Sequence, residues 1–451
     1  MSGEARQMAS PAGALAVPAE PVAGATIQSV VRGAGAAILL IWLLCLSAYS
    51  PAGRAGPLGL EQLDWIADMK VAVRALAVLV LGATFVRLPR VSAKWQTVWC
   101  LTPFGLYAVW AAVSTVWSPL EAVSLGHAGD LFVLLLLAAV AGVACTNDRK
   151  MSLILLHLAV AMFLVSVLSI LLSQVGLGNG FGEWTGETQP RSFMHPNLAA
   201  QSAGGALTIV LAGYLIWRWT WARKMLVPAI VGAAYVLYFA HSRTAIAITL
   251  LGVAGVLFVS GHRKFLLAVS VVCIVLVALY MALDPYGTLT ERAAGDVMGY
   301  TMRGQTGQQF ASASGRAEMW QIGIESFRMS PMIGHGNWIM TPSGMAFVWG
   351  EYQWETLHNM ILHVLAGTGL IGGLLFLWAV VRPFNVIRKG LKRISPDRAT
   401  AGFAMLVLVW FLVLGLYELS FLGPVSPVSV FYFVTIGLAC ARLTQAAGKA
   451  R

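Results

Sequence analysis

The chain has 451 residues, 58% of them hydrophobic and only 11% charged, with a mean hydropathy of +0.76. Unpaired backbone groups are too costly in lipid for anything but helices or closed barrels, and the apolar runs here have helix length, not strand length. The formal net charge of +11 would suit a nucleic-acid partner, but these cations fall on short connections between apolar runs. That is the pattern of cytoplasmic loops facing anionic lipid, so a nucleic-acid partner is excluded.

Residues 1–28 are rich in Ala, Pro and Gly with no apolar run, and read as a flexible cytoplasmic tail. The run from Ala34 to Tyr49 starts late and lacks a small-residue cleavage site, so it reads as a retained first span and not a signal peptide. Within 29–283, nine spans are expected at 34–49, 66–86, 98–117, 126–145, 151–174, 197–217, 225–240, 244–260 and 265–283. The seventh and eighth are joined only by His241-Ser242-Arg243, as in a tight helical hairpin. A polar segment at 284–357 follows, then three spans within 358–441 (at 358–381, 400–417 and 425–441), then a cytoplasmic tail at 442–451. The expected fold is an all-α polytopic membrane protein of about twelve transmembrane helices with one large periplasmic loop.

Orientation comes from the positive charges. With the N-terminus inside, most of the 30 Lys and Arg fall on cytoplasmic connections, and the 284–357 loop faces out. The two halves show no internal repeat, as an inverted-repeat transporter would. The five cysteines (45, 100, 145, 273, 440) lie in or beside apolar runs without paired spacing, and read as small core residues and not as disulfides or metal ligands.

Outward arginines run against the orientation rule, and three stand at helix ends or in the loop. Arg191 lies in Pro190-Arg191-Ser192-Phe193-Met194-His195-Pro196-Asn197, Arg243 in Ser242-Arg243-Thr244, and Arg316 in Gly315-Arg316-Ala317-Glu318-Met319-Trp320. A guanidinium is a permanently charged planar fork of donors, suited to diphosphate oxygens at a membrane surface. Taken singly, each could equally anchor its helix to headgroups. His358 lies where the loop meets a span. At a helix N-terminus the dipole would disfavour imidazolium and leave the ring neutral as a base, the alternative being a helix cap. His358 and His363 are five apart and share no helical face, so no metal-ligand spacing is present. His195 reads as shaping the start of its span, with Asn197 as N-cap. Gly334-His335-Gly336 reads as a turn and not a phosphate loop. Trp338, Trp349 and Trp354 read as an interfacial belt, with stacking on sugars as the alternative. Gly367, Gly369, Gly372 and Gly373 read as allowing close helix approach.

In their order, Pro190-Arg191 with His195-Pro196-Asn197, Ser242-Arg243-Thr244, Gly315-Arg316 with Trp320, Pro331 and Gly334-His335-Gly336, and His358-Asn359 with Leu362, Gly369 and Gly372 resemble the O-antigen ligase/polymerase superfamily over about residues 98–440. The resemblance implies a bacterial inner-membrane glycosyltransferase of the GT-C type, active on the periplasmic face without a cofactor, metal or nucleotide sugar. It implies a glycan on undecaprenyl diphosphate as donor, an acceptor glycan lipid, and partners among polysaccharide export or chain-length proteins. Arg191, Arg243 and Arg316 would hold the diphosphate, and Arg316 and His358 would be catalytic, His358 as the base of an inverting transfer. Polymerisation of O-antigen or exopolysaccharide repeats is favoured. Ligation to lipid A core remains an alternative, and a lipid-linked glycan flippase is the alternative from another class.

Overall fold

The structure is a computed structural model that describes residues 24–49, 65–88, 91–145, 147–175, 194–268, 271–272, 275, 316–340, 346–348, 351–353, 357–392 and 397–449. Its helices are α1 (Gly24–Leu46), α2 (Trp65–Arg87), α3 (Val91–Val113), α4 (Glu121–Ala144), α5 (Asp148–Gln174), α6 (Pro196–Leu215), α7 (Thr220–Ala240), α8 (Arg243–Val259), α9 (Arg316–Met329), α10 (Met360–Gly390), α11 (Asp397–Gly415) and α12 (Pro427–Lys449). Among the described residues, 9 helices are long and apolar enough to cross a membrane, and two shorter apolar helices, Gly33–Leu46 and Arg243–Val259, accompany them. Together they match every expected span except 265–283, which lies largely outside the described residues. The all-α polytopic class holds. Within the loop the described strands are a small antiparallel hairpin, β1 (Ala346–Val348) and β2 (Glu351–Gln353).

Polar caps mark where several helices start. The Asn147 side chain accepts from Lys150 N ahead of α5, and Ser242 accepts from Ala245 N ahead of α8, each satisfying a backbone donor that the first turn leaves open. His195 caps α6, its Nδ1 accepting from Asn197 N, with Pro196 opening the helix. This corrects the expectation for Asn197, which lies inside the first turn and not at the cap.

Inside a bilayer, helices associate through close packing of small residues and not through a hydrophobic drive. α4 and α12 meet in this way: a methyl on Gly142 would strike the Gly437 carbonyl, and one on Gly437 would strike the Ala138 carbonyl. Around them lies an aromatic core from α3, α10, α11 and α12, centred on Phe421 of the α11–α12 connection. Phe421 is fully buried and stacks on Tyr432 with centroids 3.9 Å apart, with Phe104, Phe376 and Phe411 packed about it. At the opposite end of α12, Arg442 bonds both Asp148 and Asp397, the first residues of α5 and α11. Cys100 of α3 and Cys440 of α12 form a disulfide with Cα atoms 6.1 Å apart, against the reading of all five cysteines as unpaired. Residues 340 apart in sequence carry no spacing signal; only helix packing brings them together.

α10 is broken within its span. Gly369 has φ 66° and ψ −167°, a conformation open to glycine and costly for any residue with a Cβ. The break frees two carbonyls and two amides, and the loop takes up all four. His335 N and Gly336 N donate to Ala366 O (3.0 Å) and Gly367 O (2.8 Å), while Leu370 N and Ile371 N donate to Pro331 O (2.8 Å) and Met332 O (3.2 Å). A methyl on Gly367 would meet the Gly336 carbonyl, and one on Gly369 would meet the Met332 backbone. Gly367 and Gly369 therefore admit the loop and not a neighbouring helix, which corrects that expectation. Gly334-His335-Gly336 is a turn, both glycines having positive φ.

Candidate active site

The polar centre of the structure is a carboxylate in the connection between α11 and α12. Glu418 Oε2 lies 3.0 Å from His358 Nδ1. Its Oε1 accepts from Arg316 Nη2 at 3.3 Å and from Asn197 Nδ2 at 3.4 Å. From the α11–α12 connection, one side chain thus gathers the start of α6, the start of α9 and the segment leading into α10. Residues from 197 to 418 meet within a single hydrogen-bonded group.

The local structure explains why these groups hold still. Asn359, not His358, is the N-cap of α10: its Oδ1 accepts from Ile361 N and Leu362 N, both at 3.0 Å. Its Nδ2 donates to Leu416 O at 3.3 Å, tying α10 to the segment that bears Glu418. His358 sits one residue further out, with φ 40°. Its ring faces the Glu418 carboxylate, which rules out the alternative of His358 as the helix cap. A positive φ in a residue with a Cβ is sparsely populated and marks a conformation imposed by its surroundings. Ser420, two residues after Glu418, has φ 56°, so both partners of the His–Glu pair lie in or beside strained backbone.

The connection carrying Glu418 is held from below by buried Phe421 and from the side by Asp130. Asp130 is buried in α4, pairs with Arg74 of α2 at 2.7 Å, and accepts from Val425 N at 3.4 Å. Above this pair His127 stacks on Trp338 with centroids 3.7 Å apart, and Trp338 meets His363 edge-on at 4.7 Å. Trp338 is only 5% exposed, so it is a core residue and not part of an interfacial belt. Its backbone is pinned as well: Trp338 N donates to Ser124 Oγ at 3.1 Å, and Asn337 N to Ser114 Oγ at 2.8 Å. Trp349, Trp354 and Arg191 lie outside the described residues.

Electrostatics set the protonation states. Burial pushes the Glu418 carboxyl up, but His358, Arg316 and His195 around it outweigh burial and hold it below the ordinary carboxylate range. An ionised carboxylate only accepts hydrogen bonds, so His358 Nδ1 carries the proton in this contact. Nε2 of a neutral ring is then the acceptor, the tautomer a general base requires. Arg243, first residue of α8, lies within electrostatic reach of Arg316. Two guanidinium groups held near one another favour an anion between or beside them. The structure thus brings Arg316 and His358 together on Glu418 and sets Arg243 within electrostatic range. Among the described residues no group of three His, Cys, Asp or Glu is arranged to hold a metal ion.

Sequence reasoning did not single out Glu418. Its signal was available: a carboxylate isolated in the apolar run Leu416-Tyr417-Glu418-Leu419, at a span end on the same side as the three arginines. An unpaired carboxylate is costly there, so a cationic partner is expected.

Residues 228–377 match the O-antigen ligase family model. The matched segment takes in Arg243, Arg316 and His358 and stops short of Glu418. No curated protein matches the chain.

Proposed function

We propose that the chain, whose residues 228–377 match the O-antigen ligase family model, is a glycosyltransferase using a polyprenyl-diphosphate-linked glycan as donor. The observation that carries this reading is the group formed by Glu418, His358 and Arg316, a fixed base beside fixed cations.

The transfer is a single displacement at the anomeric carbon. The acceptor hydroxyl oxygen attacks as its proton passes to Nε2 of His358, and the bond from the anomeric carbon to the diphosphate oxygen breaks with its electron pair. One displacement inverts the anomeric centre. Glu418 holds Nδ1–H of His358 and stabilises the imidazolium that forms, the role a carboxylate plays behind any histidine base. Arg316 gives one N–H to Glu418 and has others left for phosphate oxygens, because a guanidinium has five N–H donors. With Arg243, and with Arg191 assigned the same role, it stabilises the charge that grows on the departing diphosphate. A carrier that only moved such a lipid would need the cations but no histidine oriented by a carboxylate.

The site faces the periplasm of a bacterial inner membrane in this reading. The donor is undecaprenyl diphosphate carrying an oligosaccharide, and the acceptor is a second lipid-linked repeat unit. Incubation of the purified protein with undecaprenyl-diphosphate-linked repeat units is expected to give a ladder of lengthened products. A single product formed only when lipid A core is supplied would instead identify a ligase. Consumption of neither substrate by folded protein would overturn the transferase reading.

A further inference from the structure

We infer that the end of α9 and the turn after it form a re-entrant anchor that inserts Met332 and Ile333 among the acyl chains of the leaflet on the side of the candidate site. α10 presents one exposed apolar stripe, made of Leu370, Leu374, Leu377, Trp378, Val381 and Phe384. These residues share a single helical face, the face a transmembrane helix turns to lipid. Met329, Met332 and Ile333 are also exposed, at 53%, 55% and 39%, and they continue that stripe at its upper end. Their level is fixed by hydrogen bonds, since Pro331 O and Met332 O accept from Leu370 N and Ile371 N.

Helix rise converts this register into depth. Leu370 lies about 27 Å along α10 from Arg388 at about 1.5 Å per residue. The hydrocarbon layer is about 30 Å thick, and Arg388 and Lys389 are exposed in the last turn, where cations stay at or beyond the far boundary. Leu370, and Met332 and Ile333 beside it, therefore fall inside the layer. α9 descends to that level. Arg316 bonds Glu418 at its start, Gly323 packs on Leu357 and Leu362, and the turn reaches Leu370.

Irregular backbone at membrane depth is tolerated only when its polar groups are satisfied by protein. Pro331 O, Met332 O, Gly334 N, His335 N and Gly336 N of the turn are each paired with protein. The four hydrogen bonds to the α10 break are joined by Gly334 N donating to Ser330 O at 3.0 Å and by Ser330 Oγ donating to Gly334 O at 3.0 Å. His335 Nε2 lies 2.9 Å from Ser326 O. A turn lying in water would need none of this, because solvent would serve the same groups. Apolar side chains face outward while the backbone is closed inward, which is the arrangement an acyl-chain environment selects.

The test reads the surroundings of single cysteines. Met332→Cys and Ile333→Cys, with Gln321→Cys on the exposed side of α9 as reference, are made in the full-length chain with Cys45, Cys145 and Cys273 replaced by alanine. Each is labelled with an environment-sensitive fluorophore and reconstituted in phosphatidylethanolamine–phosphatidylglycerol vesicles. A lipid carrying a nitroxide near the headgroup end of its acyl chain is expected to quench positions 332 and 333 more strongly than position 321. Aqueous iodide is expected to show the reverse order. Iodide quenching at 332 and 333 equal to that at 321 would overturn the anchor. Protection from both quenchers would also overturn it, since a protein segment would then cover the patch. Two neighbouring positions keep the test decisive if one variant fails to fold.

Discussion

Replacing Glu418 by Gln keeps the shape of the side chain and removes its charge. The carboxylate lies 3.0 Å from His358 Nδ1, and in the proposed transition state that ring becomes an imidazolium. Two unit charges at this distance attract by about 5 kcal/mol at an effective dielectric of about 20. The His358 side chain is 33% exposed, so solvent screens part of this, and about 2–3 kcal/mol is left for the transition state. At about 1.4 kcal/mol per factor of ten, Glu418→Gln should lower kcat roughly 30- to 150-fold. The amide also leaves the ring tautomer unfixed, since it can either donate to Nδ1 or accept from it. Donor KM should move far less, because the proposed mechanism assigns the diphosphate to guanidinium groups that the substitution leaves in place. The assay is turnover per folded molecule on a lipid-linked repeat unit, with thermal unfolding measured alongside. A kcat within twofold of the parent, in a preparation where His358→Ala is inactive, would refute the role of Glu418 as the residue that positions the base.

Further outcomes are expected at the same centre. His358→Gln retains hydrogen bonding but cannot take the proton, so turnover should fall by about 10²–10⁴-fold with donor affinity little changed; near-parental turnover would remove His358 as base. Arg316→Ala gives up at least one charge-assisted hydrogen bond, about 1.5–3 kcal/mol, and Arg316→Lys should recover only part because an ammonium lacks the planar fork; full recovery by Lys would show that charge alone suffices. The Glu418 carboxyl sits below its ordinary value of 4.5 in the folded protein, so its stabilisation is complete above that pH and is lost as pH falls through the lower folded value. The difference in unfolding temperature between parent and Glu418→Gln should accordingly be constant near neutrality and close only on acidification below pH 4.5; a difference that closes near neutrality would contradict the assignment. Gly369→Ala forces a Cβ into a positive-φ position at a cost of about 1–3 kcal/mol and drives a methyl into the Met332 backbone, so the 331–336 turn should become more open to proteolysis.

The class of the protein was legible in composition, because lipid admits so few backbone solutions that apolar runs of helix length leave only a helical bundle. Arg243, Arg316 and His358 stood out as candidates because a charge or an imidazole beside an apolar run is costly, and costly residues stand out one at a time. Contacts between distant residues were not legible. Glu418 is one carboxylate among 19 acidic residues, and nothing local says that it faces His358, Arg316 and Asn197. Cys100 and Cys440 carry no shared spacing, and Trp338, read as an interfacial residue, is buried against His127.

The break in α10 shows the same division. Gly367, Gly369 and Gly372 announced that something approaches closely, since small residues have that use throughout membrane proteins. They could not say whether a helix or a loop would arrive. That was decided by the donors and acceptors of 331–336, which match the groups exposed at the break one for one. Local chemistry fixes which residues are expensive to bury; tertiary structure decides which partner relieves the cost, because a partner is defined by three-dimensional proximity and sequence order does not encode it.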